Sequence, residues 1–95
     1  MKQYTDIVQN LEHLAEEAGE VVRIKSKCIR FGLNDYHPKN NEINRIALAH
    51  EIGHFIYIVF ILVKHGTIER KDIITGVKQK YLNMKKWYNF NRPTL

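Results

Sequence analysis

The chain has 95 residues, enough for one small domain with a thin core. Hydrophobic residues at 44% and charged residues at 26% exclude a disordered chain, and a single cysteine, Cys28, excludes an internal disulfide framework and fits a reducing compartment. The net charge of +5 is unevenly placed: residues 1–51 carry seven Lys/Arg against eight Asp/Glu, and residues 52–95 carry eight against two. A basic C-terminal half suits either a polyanionic ligand or a solvated cationic face. No stable nucleic-acid complex is expected.

The opening MKQYTDIVQN is polar and carries an acid, so it does not read as a secretory signal. From about Tyr4 to Ile29, the apolar residues Ile7, Leu11, Leu14, Ala18, Val21, Val22 and Ile29 recur at three- and four-residue spacing, which predicts a first helix with one buried face. Phe31 to Asn41, dense in Gly, Asn, Asp and Pro, predicts a loop. A second helix is predicted from about Glu42 to Lys64, stopped by Gly66, with Thr67 placed to cap the next. The third runs from about Glu69 to Tyr88, with Ile73, Ile74, Val77, Leu82 and Met84 as its apolar members, and the tail over 89–95 reads as irregular. No segment alternates as a strand does. The fold class is therefore all-α, built of helical hairpins in a single domain over 1–95.

Phe55 to Val63 is the longest unbroken apolar run. Its nine residues fall far short of the roughly 20 that span a bilayer, so no membrane segment is expected. The run also leaves no polar face on that part of the second helix, which must then be covered all round. A second subunit is the simplest cover, and a homodimer or homotetramer is expected.

The chemistry begins on the first helix. Between Gln3 and Val22 there are five acidic residues and no Lys or Arg. At about 100° per residue, Glu16, Glu17 and Glu20 fall within one arc of roughly 100°. Such carboxylates repel one another unless a cation intervenes, and Mg²⁺ or Mn²⁺ would serve. A solvated acidic face would show the same pattern. Arg23, Lys27 and Arg30 continue the stripe as cations, which suits a metal-bound polyphosphate; simple intrahelical pairing, as of Glu20 with Arg23, is the plainer alternative.

On the second helix, His50-Glu51-Ile52-Gly53-His54 reads as the HExxH pattern of zinc metalloproteases, two histidines one turn apart with a glutamate as general base. A catalytic zinc needs a third protein ligand. His65 stands eleven residues past His54, roughly 16 Å along a continuing helix, and the metzincin position is taken by Phe60. The alternative unit is Glu51 with His54, at i and i+3, facing Glu17 and Glu20 across a shared cation. A ferritin-like di-iron bundle also uses Glu-x-x-His, but needs two such motifs, which only a homodimer would supply here.

Together these residues resemble a known family. Leu14-Ala-Glu-Glu-Ala-Gly-Glu-Val21 resembles the first metal motif of the MazG-like nucleotide pyrophosphohydrolases, an all-α superfamily. Ser26 to Gly32 and Asp35-Tyr36-His37-Pro38 resemble a segment of its small phage and bacterial members. Asn44-Arg45 with Glu51-Ile52-Gly53-His54 resembles the second motif, usually Glu-Leu-Gly-Asp, and Lys80, Leu82, Lys85, Lys86 and Trp87-Tyr88 resemble the basic, aromatic end. The likeness covers nearly all of residues 11–88.

The resemblance implies a helical bundle completed by oligomerisation, a cytoplasmic location in a bacterial or phage-infected cell, and Mg²⁺-dependent hydrolysis of a nucleoside triphosphate to monophosphate and pyrophosphate. It implies Glu17, Glu20 and Glu51 as metal ligands, and Glu16 as a ligand or as the base orienting water. It implies Lys27, Arg30, Lys80 and Lys85 as holders of phosphate, with Trp87 in the substrate-binding set. His54 stands where the family has Asp. Imidazole is a poor ligand for Mg²⁺ and a better one for Mn²⁺, Zn²⁺ or Ni²⁺. The departure points to a softer ion, or to a catalytically degenerate module that binds a nucleotide or a protein.

Overall fold

The computed structural model describes residues 4–36 and 42–87. Three helices follow one another, α1 (Tyr4–Phe31), α2 (Asn44–Lys64) and α3 (Arg70–Trp87). Among the described residues the only bridge of the sheet type is an isolated antiparallel one between Tyr36 and Ile43. The described chain is all-α; the helix starts, and the ends of α1 and α2, fall within two residues of the expected positions. The expected helix end at Tyr88 and the tail 89–95 lie outside the described residues.

Two glycines set the helix ends. Gly32, at φ +100°, turns the chain out of α1 and donates its N–H to the Cys28 carbonyl at 3.0 Å. Gly66, at φ +75°, closes α2: its N–H reaches the Val63 carbonyl at 3.0 Å, and the Thr67 N–H reaches Leu62 at 2.9 Å. The Thr67 backbone thus finishes α2. The first turn of α3 closes instead on the Glu69 carbonyl, which accepts from Asp72 at 3.1 Å and Ile73 at 3.3 Å.

α1 and α2 form an antiparallel hairpin. Asn10 lies opposite His65, Glu17 opposite His54, and Cys28 opposite Asn44. Along α2, Phe55, Ile58, Val59 and Leu62 are buried or half-buried on the α1 side, while Ile52, Ile56, Tyr57 and Phe60 stay exposed. The buried interior is small: Leu62, Ile24 and Asn44 among the described residues. α3 packs extensively against neither helix, and none of its residues is buried. The radius of gyration is 16.4 Å, against about 12 Å for a compact chain of this length.

α2 as a whole is 21 residues long, with a mean hydropathy of 2.0 over its most apolar stretch. By length and composition it is apolar enough to cross a membrane, so the shortness of the Phe55–Val63 run does not by itself decide the matter.

The joint between α1 and α2 hangs on Asn44. Its Nδ2 donates to the Gly32 carbonyl at 2.9 Å, its N–H to Asp35 at 2.9 Å, and its own carbonyl accepts from Cys28 Sγ at 3.6 Å. Asn44 is 1% exposed, and its Oδ1 has no partner. Asn44→Ala strips the Gly32 carbonyl of its donor and leaves a void where the buried Asn44 side chain stood. The expected cost is about 2 kcal/mol, a fall of roughly 10 °C in the thermal unfolding midpoint followed by circular dichroism.

Candidate metal centre

The antiparallel pairing brings one motif of each helix to the same level. Glu17 projects from α1; Glu51 and His54, one turn apart, project from α2. One ligand atom of each lies within 4.8 Å of the others. His54 Nδ1 stands 3.4 Å from Glu51 Oε2 and 3.8 Å from Glu17 Oε2. The two carboxylates are about one-quarter exposed, at 24% and 25%, whereas the imidazole is 59% exposed and forms the outer wall of the group.

Two carboxylates and an imidazole can hold a divalent ion. Oxygen donors suit hard cations, and the nitrogen shifts the preference toward Mn²⁺ or Zn²⁺ over Mg²⁺. The rest of a coordination sphere would be left to water or a ligand.

The other expected ligands stand apart from this trio. Glu20 is ion-paired with Arg23, Oε2 to Nη1 at 3.0 Å, one turn further along α1. It still lines a recess of about 170 Å³ with Glu51, Lys27, Arg23, Ile24 and Glu42. Glu16 is exposed beside Glu17 and does not join the trio. The arc of roughly 100° drawn for an ideal helix is wide enough for one edge to face α2 and the other to face water.

Of the expected phosphate-holding residues, Lys27 lies in the recess. Arg30 is exposed, with its guanidinium 5.0 Å from the centre of the Phe31 ring. Lys80, Lys85 and Trp87 sit on α3, which does not pack on the hairpin that carries the trio. Lys80 and Trp87 share a surface recess with Asn83 and Met84. Among the described residues, then, the recess beside the carboxylates receives its cations from α1, as Arg23 and Lys27.

The HExxH pattern does not gather its two histidines. His50 Nδ1 lies 3.0 Å from Glu42 Oε2, and His50 is not among the groups that could share an ion with His54. His65 is engaged elsewhere, 3.2 Å from Asn10 Nδ2. Glu42, which the sequence offered only as a helix start, thus enters twice, at the recess and as the partner of His50; its spacing of eight residues from His50 is a signal that reads equally as a solvated helix flank.

No family model matches the chain, and neither a curated protein nor a solved structure matches it significantly.

Proposed function

We propose that the protein is a metal-dependent nucleotide pyrophosphohydrolase of the MazG-like kind. The observation that carries this reading is the convergence of Glu17, Glu51 and His54 from two helices, beside a recess lined by Lys27. The resemblance assigned these ligands to two separate motifs, and the hairpin sets the motifs face to face. When bound, a divalent ion there would polarise a phosphate and make water a better nucleophile. Lys27, which lines the recess, would take a phosphate oxygen, Arg23 would hold Glu20 by their ion pair, and the exposed Glu16 would orient water. In the reaction, water adds at the α-phosphorus, the bond to the bridging oxygen breaks, and monophosphate, pyrophosphate and a proton are released.

A second reading is favoured by His54. The imidazole stands where the family has a carboxylate and gives the group one negative charge fewer, which suits a degenerate member that binds a nucleotide or a protein and no longer cleaves. A zinc protease has less support, because His50 is turned to Glu42.

Chromatography of a nucleotide panel incubated in parallel with Mg²⁺, Mn²⁺ and Zn²⁺ decides between them. Monophosphate and pyrophosphate in equal amounts, best with Mn²⁺, are expected. Tight nucleotide binding with no product under any ion would replace the catalytic reading with the degenerate one.

A further inference from the structure

The recess beside the trio, about 170 Å³ in volume, brings five charged side chains together: Glu20, Glu42 and Glu51 against Arg23 and Lys27. Pockets that take a whole small ligand run to roughly 300–1,000 Å³, so this one fits a single unit of a nucleotide, one phosphate or one sugar. Four of the five already have a role. Glu51 belongs to the trio, Glu20 is held by Arg23 at 3.0 Å, and Lys27 is the cation for phosphate. Glu42 is the group that a polyphosphate does not explain. A carboxylate beside a phosphate repels it, and the Glu42 side chain, at 34% exposed, is within reach of a bound ligand.

Glu42 is also fixed in place. Ile43, the next residue, bridges to Tyr36, and Asn44 after it is buried in the joint with its N–H on the Asp35 carbonyl at 2.9 Å. From α2, His50 Nδ1 stands 3.0 Å from Glu42 Oε2. An ionised carboxylate only accepts, so Nδ1 carries the proton in this contact. The two oxygens of a carboxylate offer about four lone-pair sites, and one imidazole takes one of them, so the group can accept from more than one donor. Ile24 and Ala47 supply the apolar part of the wall.

We propose that Glu42 accepts hydrogen bonds from the 2′- and 3′-hydroxyls of a ribose seated in this recess, and that the protein prefers ribonucleotides to 2′-deoxyribonucleotides. The assignment rests on the nucleotide reading of the metal site. The sugar hydroxyls are the donors of a nucleotide nearest its 5′-phosphates, whereas the amino groups of the bases lie beyond them. In dinucleotide-binding folds a single Asp or Glu holds the ribose 2′-hydroxyl in the same way. The small apolar wall meets the C–H face of the sugar ring and leaves no room for the base, so the preference is the same whichever base is attached. A second divalent ion is the competing occupant, drawn by the three acids. Against it stand Arg23 and Lys27, which offset two of the three negative charges.

Initial rates of the full chain with the four common ribonucleoside triphosphates and their 2′-deoxy counterparts, in Mn²⁺, test the assignment. The wild-type protein should show kcat/KM about tenfold higher for each ribonucleotide, the size of one hydrogen bond to a charged group that water still reaches. Glu42→Ala should lose most of the rate on ribonucleotides and bring the ratio near one, with helicity by circular dichroism and Mn²⁺ affinity by calorimetry close to wild type. Equal wild-type rates on both sugars, a preference confined to one base, or a Glu42→Ala variant that keeps the preference would each overturn the ribose contact and leave the pyrophosphohydrolase reading standing. A fall in Mn²⁺ affinity in Glu42→Ala makes a second ion the occupant and overturns it too. If no nucleotide is hydrolysed, the catalytic reading falls, and the same ratio is read from the affinities for ATP and 2′-deoxy-ATP. A tenfold difference then supports the sugar contact, and equality overturns it. A chain that binds no nucleotide overturns both.

Discussion

Glu17→Gln and Glu51→Gln are each expected to abolish divalent-ion binding and any nucleotide hydrolysis. Each replaces a charged oxygen donor within the trio by a neutral amide of the same size. Loss of an outer partner of a metal ligand typically costs 10–100-fold in affinity, and loss of a ligand itself should exceed about 100-fold. Helicity should survive, because Glu and Gln have nearly equal helix propensity and neither side chain is fully buried. Isothermal titration with Mn²⁺ reads the affinity directly, with Glu12→Gln, an exposed acid on the same helix, as the control. His50→Ala separates the chemistries further. On the metal site drawn here it leaves Mn²⁺ affinity unchanged, whereas a zinc protease would lose its ion. Undiminished affinity in both the Glu17 and Glu51 variants would sink the site.

His54→Asp should act in the opposite direction. The imidazole stands 3.4 Å from Glu51 and 3.8 Å from Glu17. An aspartate there sets three carboxylates together, which destabilises the metal-free chain and rewards a hard cation. The expected result is a lower unfolding midpoint without metal, a larger rise on adding Mg²⁺, and Mg²⁺ affinity higher by about tenfold or more, equivalent to 1.4 kcal/mol. The gain is modest because the position is 59% exposed and water screens the added charge. Hydrolysis with Mg²⁺ should rise in parallel. A variant that changes neither Mg²⁺ affinity nor turnover would show that position 54 belongs to no metal site.

The helices were legible because their apolar residues repeat with the helical period, and because Gly66 and the Gly/Asn-rich stretch after Phe31 punctuate them. The meeting of Glu17 with Glu51 and His54 was half legible. Each motif places its groups on one helix face, but only the antiparallel pairing sets the two faces at the same height. Glu16 and Glu20 show the limit of that reasoning. Helical spacing defines an arc, and the packing partner decides which part of it turns inward. Asn44 gave almost no signal. A polar residue at a helix start reads as surface, and its burial follows from the chain reversing at Gly32 and pressing a carbonyl against it. The position of α3 was not legible at all. An amphipathic stripe tells that a helix needs a partner and is silent on which chain provides it.

The scarcity of covered side chains bears on how long such a protein lasts. A hairpin whose buried residues, among those described, are Leu62, Ile24 and Asn44 holds little free energy of its own, so its folded fraction follows whatever binds to its open sides. Chains that spend much of their time open are clipped by proteases, and any partner that covers the open sides would protect them. Lifetime would then follow the supply of that partner, and its loss would clear the protein without any dedicated signal.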